Sequence, residues 1–91
     1  MLRITEQLEN GSTVRFRLDG TVSMQSLDPL IEACGRHLRD NRKMIILDMS
    51  GVDFMNDEAA SRLVRLQGDC FRIINCSPFI ATLLETVGDT D

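Results

Sequence analysis

Four consecutive apolar residues, Met44-Ile45-Ile46-Leu47, make the longest unbroken apolar run in the chain and stop at Asp48. Such a run is far too short to span a membrane, which takes roughly 20 residues. It also lacks the alternation of a strand with one wet face. It reads as a central strand covered on both sides. A strand of that kind needs neighbouring strands and helices, and the rest of the chain has to provide them.

The stretch ahead of it offers two strands and a helix. Leu2 to Leu8 is followed by Glu9-Asn10-Gly11-Ser12, and Asn-Gly between two β-type runs signals a hairpin. Thr13 to Leu18 alternates, with Val14, Phe16 and Leu18 on one face and Arg15 and Arg17 on the other. That pattern predicts a strand buried on one side, ended by Asp19-Gly20. A helix is expected next, with Asp28 as N-cap and Pro29 in the first helical position. Leu30, Ile31, Cys34 and Leu38 make its apolar stripe. Arg36, Arg39, Arg42 and Lys43 gather towards its end, where cations suit the negative pole of the helix dipole and could also meet an acidic partner. A helix between two strands makes a parallel, right-handed crossover the default.

Beyond the apolar run, Ser50-Gly51 reads as a turn and Val52 to Met55 as a further extended segment. Asn56 caps a second helix, over Asp57 to Gln67, with Asp57 and Glu58 in its first turn. Leu63, Val64 and Leu66 form its apolar face and Gly68 stops it. Cys70 to Ile74 is a fourth strand. Ser77-Pro78 starts a last helix with a buried stripe of Phe79, Ile80, Leu83, Leu84 and Val87. The order β-β-α-β-α-β-α predicts an α/β fold. Its sheet is small, four-stranded and mixed, an N-terminal hairpin joined to parallel βαβ crossovers, with about three packed helices. With 91 residues there is chain for one domain, over 1–91.

Several function classes are set aside by what is missing. Ten basic against fourteen acidic residues give a net charge of −4, which argues against a nucleic-acid binder that neutralises phosphates. The N-terminal Met-Leu-Arg-Ile-Thr-Glu carries no apolar leader, so neither secretion nor membrane insertion is expected. Cys34, Cys70 and Cys76 form no C-x-x-C pair and read as reduced apolar fillers of a cytoplasmic protein. The lone His37 sits in the basic end of the first helix and reads as a partly exposed surface residue. No phosphate-cradling glycine loop occurs. Asp48, Asp53, Asp57 and Glu58 gather near the end of the central strand, but their spacing matches no calcium loop and each serves as a turn or cap residue. No catalytic set, metal site or cofactor is expected, so the chain reads as no enzyme.

The segment Met44-Ile-Ile-Leu-Asp-Met-Ser-Gly-Val-Asp-Phe-Met-Asn-Asp-Glu-Ala60 resembles the signature of STAS domains (sulfate transporter and anti-sigma factor antagonist). In that family an apolar strand leads into Asp-x-Ser-Gly-Val, an apolar pair, and Asp-Ser-Ser/Thr-Gly at a helix start. Leu18-Asp19-Gly20-Thr21-Val22 is similar to the family's Leu-x-Gly-x-Leu, and Ile73-Ile74-Asn75-Cys76-Ser77-Pro78 to its Leu-x-Asn-x-Ser-Pro. Leu83-Leu84-Glu85-Thr86-Val87-Gly88 resembles its closing helix. The resemblance covers Thr13 to Gly88 in the family's order.

The resemblance implies a protein-binding switch whose phosphoacceptor Ser or Thr opens the second helix. Aligned so, Asp57 and Glu58 occupy the two hydroxyl positions, and Glu58 stands where the phosphoacceptor would be. The acidic residue that usually follows strand two falls on Ser23, and the second helix is shorter than usual by more than a turn. The acid pair has two physical readings: a permanent imitation of the phosphorylated state, or acids favoured in any first helical turn. Ser61 is a substitute phosphosite one turn on. The implied partner surface comprises Ser23, Asn56, Asp57, Glu58 and Ser61. The implied function is a regulatory module of anti-sigma factor antagonist type, bound to a kinase-type anti-sigma factor. A second reading is the STAS subunit of a membrane transport complex, bound to a cytoplasmic ATPase, and a third is a domain regulated by a metal or nucleotide. Ile4 and Leu8 on the hairpin edge would allow a homodimer.

Overall fold

The computed structural model describes residues 2–41, 44–68 and 70–88, so Arg42 and Lys43 of the basic cluster lie outside the described residues. Its elements are β1 (Leu2–Leu8), β2 (Thr13–Val22), α1 (Met24–Asn41), β3 (Met44–Met55), α2 (Asp57–Leu66), β4 (Phe71–Ile74) and α3 (Pro78–Gly88). The sheet order is β1-β2-β3-β4, with β1 antiparallel to β2 and the other pairs parallel. The expected α/β fold with a mixed four-stranded sheet and three helices is the observed one. In the hairpin loop, Asn10 does not form a tight two-residue turn; its Oδ1 accepts from the Ser12 N–H at 2.8 Å.

Alternation decides which face of the sheet is covered. Val14, Phe16 and Leu18 from β2 join Ile45, Leu47 and Met49 from β3 in one buried core. Leu27 and Leu30 of α1, Ala59, Ala60 and Leu63 of α2 and Ile80 of α3 close over them. The opposite face of β3 is different from the expected doubly covered strand. Ile46 is only half-buried, and its register partners are Arg15 and Arg72. Arginines lay methylene stems along apolar surface while their heads stay wet, so an apolar residue there needs no second helical layer.

Neither expected break in the strands occurs. β2 runs on through Asp19-Gly20 to Val22, and β3 runs on through Ser50-Gly51 to Met55. β3 carries an extra residue twice: Arg17 pairs with Asp48 but Asp19 with Gly51, and Gly20 with Val52 but Thr21 with Phe54. Bulges of this kind absorb residues that would otherwise read as turn formers. Gly20 has φ 112°, a conformation that L side chains rarely adopt, which explains a glycine there inside a strand.

α1 begins at Met24, four residues ahead of the Asp28-Pro29 start. Ser23 and Ser26 exchange bonds across the first turn: the Ser23 N–H donates to Ser26 Oγ at 2.8 Å, and the Ser26 N–H to Ser23 Oγ at 3.4 Å. This reciprocal cap and the full burial of Leu27 outweigh the backbone bond that Pro29 cannot make in the second turn. Asp28 is exposed and instead pairs with Arg62 at 3.2 Å.

α2 ends at Leu66 without a left-handed glycine. Gln67 is extended and its N–H donates back to the Leu63 and Val64 carbonyls, while Gly68 forms a two-way bridge with Phe71. Cys70 is exposed rather than a filler and lies just ahead of β4. α3 starts as expected, with Ser77 Oγ accepting from the Ile80 N–H at 3.3 Å. Of its stripe, Ile80 is buried and Leu83, Leu84 and Val87 pack against the core. Phe79 departs from it: half-exposed, it stacks on the equally exposed Phe54 with ring centroids 5.9 Å apart.

Candidate functional site

The carboxyl ends of β2 and β3 lie side by side, Val22 opposite Met55, so the residues that follow them meet at one rim. Ser23 opens α1 there, and Asn56 opens α2. A bond from the Asn56 N–H to the Val22 carbonyl, 3.3 Å, ties the two starts together. Asn56 is the expected cap: its backbone is extended and its Oδ1 accepts from the Ala59 N–H at 2.9 Å. Replacing Asn56 with Ala is expected to cost about 1 kcal/mol, read as a lower urea midpoint, with Asn56→Ser close to wild type.

Asp57 and Glu58 fill the first turn of α2, both exposed, and among the described residues neither forms an ion pair. Their charges therefore face solvent beside the positive pole of the helix. Glu58 and Ser61 line a hollow of about 440 Å³ together with Met24, Arg62 and Arg65. The Asp28–Arg62 pair bridges α1 and α2 beside it. Arg62 and Arg65 were not singled out from the sequence. Their signal was available, since Arg62 follows Glu58, and Arg65 follows Ser61, by four residues on one helix face.

The four carboxylates expected near the end of β3 do not converge. Asp53 accepts from Thr21 Oγ1 at 3.2 Å, and Asp57 and Glu58 face outward. Asp48 is buried on the sheet, where its Oδ1 accepts from the Ser50 N–H at 3.0 Å and from Asn75 Nδ2 at 3.1 Å. Arg15 Nη1 stands 3.7 Å from its other oxygen. Burial alone would raise the Asp48 pKa; the bonds from Ser50 and Asn75 with the charge of Arg15 overcome this and hold it below the usual value. Among the described residues no group of three or more His, Cys, Asp or Glu side chains is placed to hold a metal ion. His37 Nε2–H donates to Glu6 Oε1 at 2.7 Å, and its ring meets the Phe16 ring edge-on. Burial pushes the Cys34 thiol up to about 12 and raises that of Cys76.

The conserved pattern of the STAS domain family matches residues 5–89. The chain belongs to the STAS domain family. Among solved structures, this STAS domain is similar to the anti-sigma factor antagonist SpoIIAA in its unphosphorylated form. The TM-score is 0.74 at 18% identity, over 94% of this chain and 81% of that one. It is also similar to an uncharacterised protein with a SpoIIAA-like fold from Shewanella loihica PV-4, with a TM-score of 0.51 at 17% identity, over 86% and 69% of the two chains. At such identities the likeness establishes the fold. No curated protein matches the sequence. No described helix of the STAS domain is long and apolar enough to cross a membrane.

Proposed function

We propose that this STAS domain is a non-enzymatic, cytoplasmic protein-binding module of anti-sigma factor antagonist type, in which acid replaces the phosphoacceptor. Its partner surface is the rim of Ser23, Asn56, Asp57, Glu58 and Ser61. The observation that carries the reading is the position of Glu58: in the first turn of α2, exposed and, among the described residues, in no ion pair, with Arg62 and Arg65 lining the same hollow. A carboxylate there brings one negative charge to the helix pole, where a phosphoserine would bring about −1.5 to −2. The domain is thereby held in a phosphorylated-like state and has left the switch.

The test is the affinity of a kinase-fold anti-sigma factor from the same genome for wild type, Glu58→Ser and Glu58→Ala, measured by calorimetry. A charge at a helix terminus contributes ~0.3–1 kcal/mol, so both variants are expected to shift affinity roughly two- to fivefold. Wild-type affinity in both would leave Glu58 as a helix-start residue only. The same non-phosphorylatable side chain also suits a second reading, a STAS subunit of a membrane transport complex that docks on a cytoplasmic ATPase and needs no switch. There, binding would go to the ATPase and ignore Glu58→Ser. A homodimer through β1 is compatible with either, since β1 is an edge strand with Leu8 exposed, although Ile4 turns inward against the core.

A further inference from the structure

Of the chain's four phenylalanines, Phe16 and Phe71 are buried, while Phe54 and Phe79 are each 50% exposed. The exposed two come from different elements, the end of β3 and the first turn of α3. Their ring centroids lie 5.9 Å apart with the planes 19° from parallel. Stacking uses one face of each ring and leaves the other to solvent. Phe54 pairs with Thr21 in the strand register, one step before the Val22–Met55 pair that leads into the rim.

The chain on both sides of this aromatic pair carries only negative charge. Neither residues 44–61 nor residues 73–91 include a Lys, Arg or His. Asp53 is held beside Phe54, because its Oδ1 accepts at 3.2 Å from the hydroxyl of Thr21, the strand neighbour of that ring. Asp57 follows Phe54 by three residues and is exposed in the first turn of α2. Among the described residues neither acid forms an ion pair. On β2 the nearest arginine, Arg17, stands four residues before Thr21 and pairs with Asp19. Arg62 and Arg65 lie further along α2, around the hollow beside Met24.

An exposed aromatic face edged by unpaired carboxylates is the complement of a flat cation. We propose that the Phe54–Phe79 pair receives an arginine side chain of a protein partner, with the guanidinium flat on a ring and its N–H groups towards Asp53 and Asp57. The proposal deepens the partner-binding reading and rests on it, since the pair adjoins the same rim. Arginine fits better than lysine, because a planar guanidinium stacks on aromatic faces and meets carboxylates with paired hydrogen bonds. The same acids turn other occupants away. An anionic membrane surface or a nucleic acid would meet like charge. A second copy related by a two-fold axis would set acid against acid.

In the test, the full chain is titrated with the peptide acetyl-Gly-Arg-Gly-Arg-Gly-amide and with its lysine and citrulline counterparts, and the phenylalanine ring signals are followed by NMR. The arginine peptide is expected to shift the Phe54 and Phe79 signals saturably at millimolar concentration and to leave Phe16 and Phe71 unmoved. The lysine peptide is expected to bind more weakly, and the citrulline peptide, similar in shape but uncharged, not to bind. Phe79→Leu keeps apolar bulk at a half-exposed position and removes the ring, so the fold is retained, as thermal melting checks. Its affinity, read on the Phe54 ring, is expected to fall about two- to fivefold. Asp53→Asn keeps an acceptor for Thr21 and removes the charge, with an expected loss of about two- to fivefold. Absence of saturable ring shifts with the arginine peptide overturns the proposal. So does equal binding of the lysine or citrulline peptide, or wild-type affinity in folded Phe79→Leu or in Asp53→Asn. The titration needs no anti-sigma factor and leaves Glu58 in place, so its failure is distinct from a failure of the partner-binding reading, which the Glu58 variants test.

Discussion

Gly51→Ala is expected to destabilise the domain by about 1–3 kcal/mol, the usual cost of forcing a methyl into closed space. At Gly51 an added Cβ would lie 1.9 Å from Asp19 Oδ1 and 2.9 Å from the Leu18 carbonyl oxygen. The first contact could be relieved by turning the Asp19 side chain, at the expense of its 3.2 Å pair with Arg17. The second cannot, because Leu18 is fully buried and its carbonyl belongs to the neighbouring strand. The two strands would have to part next to the bulge, in the centre of the sheet. For a chain of this size each kcal/mol lowers the melting temperature by about 4–8 °C. Gly11→Ala serves as the control, since nothing lies within 4 Å of a Cβ there, and it is expected to melt with wild type. Equal melting of the two variants would show that the strands at Gly51 separate without cost.

The same glycine shows where reading the sequence stops being sufficient. Alternation at Val14, Phe16 and Leu18 and the cap at Asn56 are local signals, and the fold uses both as expected. Ser50-Gly51 and Asp19-Gly20 carry equally local turn signals, yet both lie inside long strands. What overrides them is the pairing of β2 with β3, a contact about 30 residues apart in the chain that no window of neighbouring residues contains. Asp28-Pro29 fails for the reverse reason. A competing local start, Ser23 with Ser26, brings Leu27 into the core, and burial of a leucine is worth more than an ideal proline position. At the candidate site the residues named from the resemblance do share one rim, and the spacing of Arg62 and Arg65 from Glu58 and Ser61 is a local signal, but the Asp28–Arg62 pair emerges only once α1 and α2 are set side by side.

Asp48→Ala is the second substitution with a large expected effect, again about 1–3 kcal/mol at neutral pH, because it strands buried donors. The Ser50 N–H and the Asn75 amide both lose their acceptor. Asn75 also has φ 59°, a left-handed backbone that asparagine tolerates better than most residues and that its bond to Asp48 helps to hold. Asp48→Asn keeps an acceptor oxygen and removes the charge, so it is expected to cost less. The two variants separate geometry from ionisation through pH. Asp48 has its folded pKa below the unfolded one, so its ionisation stabilises the fold fully above the unfolded value, ~3.9, and that contribution is lost as pH falls through the folded value. The advantage of wild type over Asp48→Asn in urea denaturation is therefore expected to be constant from pH 7 to about 5 and to shrink below ~3.9 as the carboxylate takes up its proton. The deficit of Asp48→Ala is expected to persist further into acid, since a protonated Asp48 still offers a carbonyl oxygen to the Ser50 N–H. If the gap between wild type and Asp48→Asn instead widens on acidification, the carboxyl is raised rather than lowered in the fold, and burial has won over its three partners.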